Sequence, residues 1–429
     1  MWSRRGDRAE AGLLERMLAR QDTTLFPELL SLLDRAGLRA PDALLPHILD
    51  RGAKAPRLRP ALVPIIGERG RWLASLNPAW RYAAVDVADP LSCRAAWEAD
   101  PAGRVPLAII VRRENPAAAR RLIETTWRSE PDAIRRELPA TLEAGLSLDD
   151  EPFLERALDD RDALTRRKAA DLLANIPGSR LVGRVTAAAG DILILSDGRL
   201  LPAPQAPITD AMVRDGITRA TGSAAAPGNQ PRSAADWSRL ITQTVGMIPL
   251  DHWTERFGMT PEGVIAAALA GTWPRTIITA LATAARRQND RRWAIALLTG
   301  DNYSERTGML LPLLTPDECH ALLAERLAAG DDAGVVMILR RWTEEWDEAS
   351  GVALVDFFGR QATIDPDAKL SATLRFLLRQ FARQCPPAVA GYAAGNLSRL
   401  PANKAWQTSL AVFIDALKAR MALHEAVTG

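Results

Sequence analysis

Lysine, cysteine, histidine and aromatic residues are all scarce in this chain of 429 residues. Its three cysteines, Cys93, Cys319 and Cys385, lie far apart with no CxxC spacing, which excludes a disulfide scaffold and a Cys-rich zinc site. No apolar run approaches the ~18–20 residues needed to span a bilayer. The first residues, Met1 to Glu10, lack the apolar core of a signal peptide, so a cytoplasmic protein without membrane association is expected. An excess of one charge is also missing: 54 Lys+Arg against 52 Asp+Glu leaves +2, far from the basic balance of a typical nucleic-acid binder. A hydrophobic share of 47% and a charged share of 25% are ordinary for a globular protein and exclude wholesale disorder.

The usual catalytic signatures are absent as well. None of the five lysines follows a glycine, so there is no Walker A loop. No serine lies in G-x-S-x-G, and no GxGxxG follows a strand pattern. His47, His252, His320 and His424 include no H-E-x-x-H. His252 and Glu255 share a helical face, but a di-metal bundle needs a second such pair and further carboxylates, and a surface histidine is the simpler reading. No catalytic, cofactor-binding or metal-binding residue is assigned, and a non-enzymatic chain without a cofactor is expected.

Arginine, alanine and leucine, all good helix formers, are abundant, and β-branched runs are few. The predicted class is all-α. Asn115-Pro116, Thr260-Pro261, Thr315-Pro316 and Asp365-Pro366 each place a capping side chain before a proline, the order that suits N-cap and N1. Thr315 and Glu318 have capping-box spacing, and the helix they open carries Cys319, Leu322, Leu323 and Leu327 on one face before stopping at Gly330. Short helices joined by short turns cannot each bury an apolar face alone, so stacked helix pairs are implied.

From Leu158 to Ile176, Thr165, Ala169, Leu172, Leu173 and Ile176 form one helical stripe, with Asp160 or Asp162 as cap, Arg167 and Asp171 as an i,i+4 pair, and Pro177-Gly178 as the stop. This stretch resembles the second helix of a HEAT repeat, with Thr165 where valine is usual. The resemblance implies that Asp160 and Arg166 join adjacent repeats, and that the chain is a HEAT-like α-solenoid. Around Asp197-Gly198, residues 191–201 read as a short β-hairpin. Residues 202–235 are rich in Pro, Gly, Ala and Ser and read as a linker between an N-terminal helical half (1–201) and a C-terminal one (236–429).

Four phrases stand in order: Gly67 to Ala74 continuing to Asn77-Pro78-Ala79-Trp80, Asp150 to Glu155, Ala211 to Ile217, and Trp253 to Glu262. Together they resemble a bacterial family of unknown function, over roughly residues 10 to 420. Genes of that family commonly sit beside a MoxR-type AAA ATPase, a von Willebrand A-domain protein and a SWIM zinc-finger protein. The resemblance implies partners among such proteins and supplies no catalytic residue.

Two stretches combine tryptophan with charge. Asp50 to Arg81 has seven basic residues against two acids. It reads as a loop-rich basic segment in which Arg57, Arg59, Arg69, Arg71, Trp72 and Trp80 are candidate partner contacts. Asp301 to Asp365 has thirteen acids and five basic residues. Within it Trp342 to Glu348 is an acidic patch, and Trp342 and Trp346 complete the candidates. Packing between helices remains the commoner role for tryptophan, and a solvated helix face the commoner role for acids. The leading expectation is a protein-interaction scaffold. The alternative is a DNA-binding HEAT-like protein, with base-excision chemistry on an Arg/Trp-rich surface; an enzyme with an unrecognised site ranks third.

Overall fold

The computed structural model describes residues 26–203, 208–218, 233–299, 308–364 and 370–428. The fold is all-α with one small hairpin, as the composition requires. The helices begin with α1 (Phe26–Arg35), α2 (Leu45–Lys54), α3 (Arg59–Leu62), α4 (Gly67–Leu76) and α5 (Pro90–Ala99). They continue with α6 (Arg104–Glu114), α7 (Pro116–Thr126), α8 (Asp132–Glu137), α9 (Glu151–Ala157), α10 (Ala163–Leu173) and α11 (Arg180–Ala189). Strands β1 (Leu193–Ser196) and β2 (Arg199–Pro202) follow, then α12 (Asp210–Arg214), α13 (Ala234–Val245), α14 (Leu250–Phe257), α15 (Pro261–Ala270) and α16 (Pro274–Gln288). The chain closes with α17 (Arg291–Leu298), α18 (Pro316–Ala328), α19 (Asp332–Arg341), α20 (Glu348–Ile364), α21 (Ala372–Gln384), α22 (Ala390–Leu397) and α23 (Lys404–Thr428).

Two compact units are present: residues 1–146 with 415–429, and residues 147–414. This partition differs from the expected boundary at 202–235. Residues 204–207 and 219–232 of that segment lie outside the described residues, but its middle is packed. Thr209 caps α12, and Ile208, Met212 and Ile217 are buried. Two arginines anchor it: Arg184 makes a bidentate pair with Asp215 at 2.7 and 2.8 Å and reaches Glu155, while Arg214 grips Asp159 at 2.8 and 3.0 Å.

The capping signals operate as expected. Asn115, Thr260 and Thr315 accept hydrogen bonds from Ala118, Gly263 and Glu318, and the Glu318 carboxylate accepts from the Thr315 N–H at 2.8 Å. Asp365 lies outside the described residues. The stripe of α10 is buried along its length, and Asp162, not Asp160, is its cap, accepting from the Thr165 N–H at 2.9 Å. Thr165 occupies the valine position because its hydroxyl donates to the same carboxylate at 3.0 Å. Arg166 donates to the carbonyls of Asp160 and Arg161 within its own turn. Asp171 accepts from Arg287, 116 residues away, in place of the expected Arg167 pairing.

The hairpin pairs Ser196 with Arg199 and Leu193 with Pro202, and both turn residues are left-handed (Asp197 φ 49°, Gly198 φ 73°). That is the turn an Asp-Gly pair is suited to. α15 ends against β2 at Gly271, where a Cβ would lie 2.1 Å from the Leu200 carbonyl oxygen, so only glycine allows this approach.

In the first unit the core gathers Phe26, Leu29, Leu30, Leu45, Ile48, Leu49 and Ile65. Arg112 is 1% exposed and donates to the carbonyls of Ala144, Pro116, Leu142 and Gly145 at 2.6–3.0 Å, tying residues 142–145 to α6. All three cysteines are buried free thiols; burial pushes Cys319 up to about 12, and burial with the neighbouring Asp89 and Asp86 raises Cys93. Among the described residues no helix is long and apolar enough to cross a membrane.

Candidate functional site

The basic segment 50–81 is helical, not loop-rich. Its prolines start turns in place of breaking them: Pro56, Pro60, Pro64 and Pro78 each occupy the first positions of a short helix, where no N–H is needed. Asn77 caps the last of these, a 3-10 helix over Pro78–Ala83, by accepting from the Ala79 N–H at 3.0 Å.

α4 packs closely because its inner positions are small. Gly70 and Ala74 are buried, and a Cβ on Gly70 would lie 2.5 Å from Ile66 Cβ. The helix therefore turns Trp72 and Leu76 outward, 60% and 63% exposed and one helical turn apart. Glu68, Arg69 and Ser75 share that outer face, with Arg69 paired to Asp42 at 2.6 Å. Trp80 is half-buried against the core, and its indole N–H donates to Asp50 at 2.8 Å. Arg71 is half-buried on α4. Arg57 lies in the 3-10 helix Pro56–Leu58.

The first unit also holds a cleft of about 290 Å³. One wall is the 3-10 helix 78–83, with Pro78, Ala79, Arg81 and Tyr82; the other is built by Ala96, Ala99 and Asp100 at the end of α5 and by Pro106, Leu107 and Ile110 of α6. Arg59 reaches it from the start of α3. Its Nε donates to the Gly52 carbonyl at 2.9 Å, and its guanidinium lies over the Tyr82 ring at 4.4 Å. The Tyr82 hydroxyl donates to the Leu49 carbonyl. Burial pushes this phenol up to about 12, with Arg59 opposing and Asp50 adding to the shift. Gly52 is required here, since a Cβ would sit 2.1 Å from the Tyr82 hydroxyl.

The second Trp stretch is different. Trp342 and Trp346 are each 2% exposed, so neither is a surface contact as the sequence suggested. Gln384 of α21 holds both: its side-chain amide donates to the Trp342 carbonyl, and its own carbonyl accepts from the Trp346 N–H at 2.9 Å. His320 packs on both rings and reaches Asp347 at 3.4 Å. The acids Glu344, Glu345, Asp347 and Glu348 point outward. Trp and charge therefore meet on a free surface only in the first stretch.

Two other sequence candidates have structural duties. His252 Nε2 is engaged with the Gly190 carbonyl at 2.9 Å, so this histidine is a packing contact. Arg166 satisfies its own turn, while the link between neighbouring helices runs through Arg184 and Arg214. These two were missed, because their partners lie 29–59 residues away and no spacing rule reaches so far. No curated protein and no solved structure matches the chain. Residues 6–427, nearly its whole length, match the model of a family of unknown function, and the chain belongs to that family, DUF5691.

Proposed function

We propose that the protein is a non-enzymatic interaction scaffold whose first unit docks a partner protein through the outer face of α4. The observation that carries this reading is the exposed Trp72–Leu76 pair. Leaving a tryptophan and a leucine side by side in water forfeits burial of about 1.5–3 kcal/mol each, and Trp beside Arg is the composition of contact hot spots. A HEAT-like stacking of helix pairs, expected from the α10 stripe, would suit a chain built to present helix faces. By the family resemblance of its motifs, the partner proposed is the MoxR-type AAA ATPase or von Willebrand A-domain protein of a bacterial system, met in the cytoplasm.

Duplex binding is less well supported. Arg51 lies over Phe26, Arg59 over Tyr82 and Arg69 against Asp42. With Arg69 balanced by Asp42 and a net charge of only +2 on the whole chain, the electrostatic drive towards phosphates is weak.

Affinity capture from the native host tests the proposal. The wild-type chain should retrieve the ATPase or the A-domain protein, and a Trp72→Ala, Leu76→Ser variant should lose at least about tenfold of that recovery, or ~1.4 kcal/mol. Recovery of neither protein by the wild-type chain would overturn it.

A further inference from the structure

The cleft of the first unit has its own chemistry. Among the described residues two guanidinium groups line it, those of Arg59 and Arg81, against a single carboxylate, Asp100. Arg59 is oriented in advance. Its Nε is committed to Gly52 and its face to Tyr82, which leaves the two terminal nitrogens without a partner among the described residues. Arg81 is exposed, and among the described residues it has no ion pair. Leu107, Ile110 and Val85 supply apolar wall, which makes up about half of the lining. The charge excess is one positive, which one carboxylate balances, and a guanidinium held at a fixed angle suits the planar carboxylate group. A phosphate dianion would exceed that balance. The volume is at the small end of the ~300–1,000 Å³ of ligand pockets, enough for a side chain or two.

We infer that the cleft takes two neighbouring side chains of a partner protein, a Glu and one flanking aliphatic residue, with the acid on Arg59 and Arg81 and the apolar group on Leu107 and Ile110. This rests on the reading that the partner is a protein, and it names the part of that partner recognised beyond the α4 face.

Fluorescence anisotropy with two labelled peptides, Ser-Leu-Glu-Val-Ser and Ser-Leu-Gln-Val-Ser, both amidated, decides it on the full chain. The Glu peptide should bind at least about tenfold more tightly than the Gln peptide, or ~1.4 kcal/mol. Arg81→Glu should erase that difference, and Ala99→Trp at the cleft mouth should block both peptides. Both positions are exposed, and thermal melts should confirm that the variants fold. Equal binding of the two peptides, binding by neither, or an unchanged preference in Arg81→Glu would overturn the inference. So would tighter binding of free N-acetylleucine than of the Glu peptide, which would make the site one for small carboxylic acids. Trp72→Ala should leave peptide binding unchanged. Failure of the peptides with partner capture intact sinks only the cleft, whereas failure of capture with peptide binding intact sinks the α4 docking face.

Discussion

Trp72 and Trp346 stand in stretches that look alike, each a tryptophan among charges, yet one is largely exposed and the other buried. The difference lies in the backbone. Trp72 sits on a helix whose inner face is taken by Gly70 and Ala74, so helical phase turns it outward. At Trp342 the chain leaves α19 in an extended conformation, and Gln384 pins it at both tryptophans, so the rings go inward and the acids outward. Neighbouring charge therefore does not decide burial; the path of the chain and a distant amide do.

Four substitutions sharpen that contrast. Trp346→Ala should be the most damaging, costing about 3–5 kcal/mol through cavity formation, read as a lower urea midpoint. A loss under about 1 kcal/mol would contradict its burial. Gly52→Ala should cost about 1–3 kcal/mol, because the new methyl group meets the Tyr82 hydroxyl; the same melt on a Gly52→Ala, Tyr82→Phe double variant should recover part of it.

Asp347→Ala should cost no more than about 1 kcal/mol at neutral pH, since this carboxylate caps α20 from an exposed position. Partial burial pushes the Asp347 carboxyl up, but the hydroxyl and N–H of Ser350 and the nearby His320 outweigh it and hold the group below the usual carboxylate range. A lowered folded-state pKa gives stability that is present above the unfolded value of ~3.9 and lost as pH falls through the folded one. The wild-type advantage over Asp347→Ala should accordingly vanish in acid; an advantage that grows there would refute the assignment. Trp72→Ala should be the mildest, within about 0.5 kcal/mol in stability, and a larger loss would mean that this side chain is packed.

Local rules read much of this fold correctly. The three described proline-preceding caps, the Asp-Gly hairpin and the α10 stripe all depend on neighbours within about four residues, where periodicity and capping act. Residues whose partners are remote were not legible. Nothing near Arg184 announces Asp215, nothing near Asp171 announces Arg287, and Arg112 gives no sign that it will gather carbonyls from 142 to 145. The prolines of 50–81 misled because the same residue that breaks a helix interior begins a new one. Of the candidate site, Arg59, Trp72 and Trp80 were visible as composition, whereas the cleft wall from α5 and α6 was not, since folding alone brings it beside Tyr82.

The three shielded thiols have a practical consequence. Maleimide reagents attack thiolates that solvent can reach, and none of the native sulfurs meets that condition in the folded chain. A single cysteine introduced at Leu76, or at Ala99 on the cleft rim, would carry a fluorophore without first removing Cys93, Cys319 or Cys385. The folded protein supplies its own unlabelled background for watching a partner arrive.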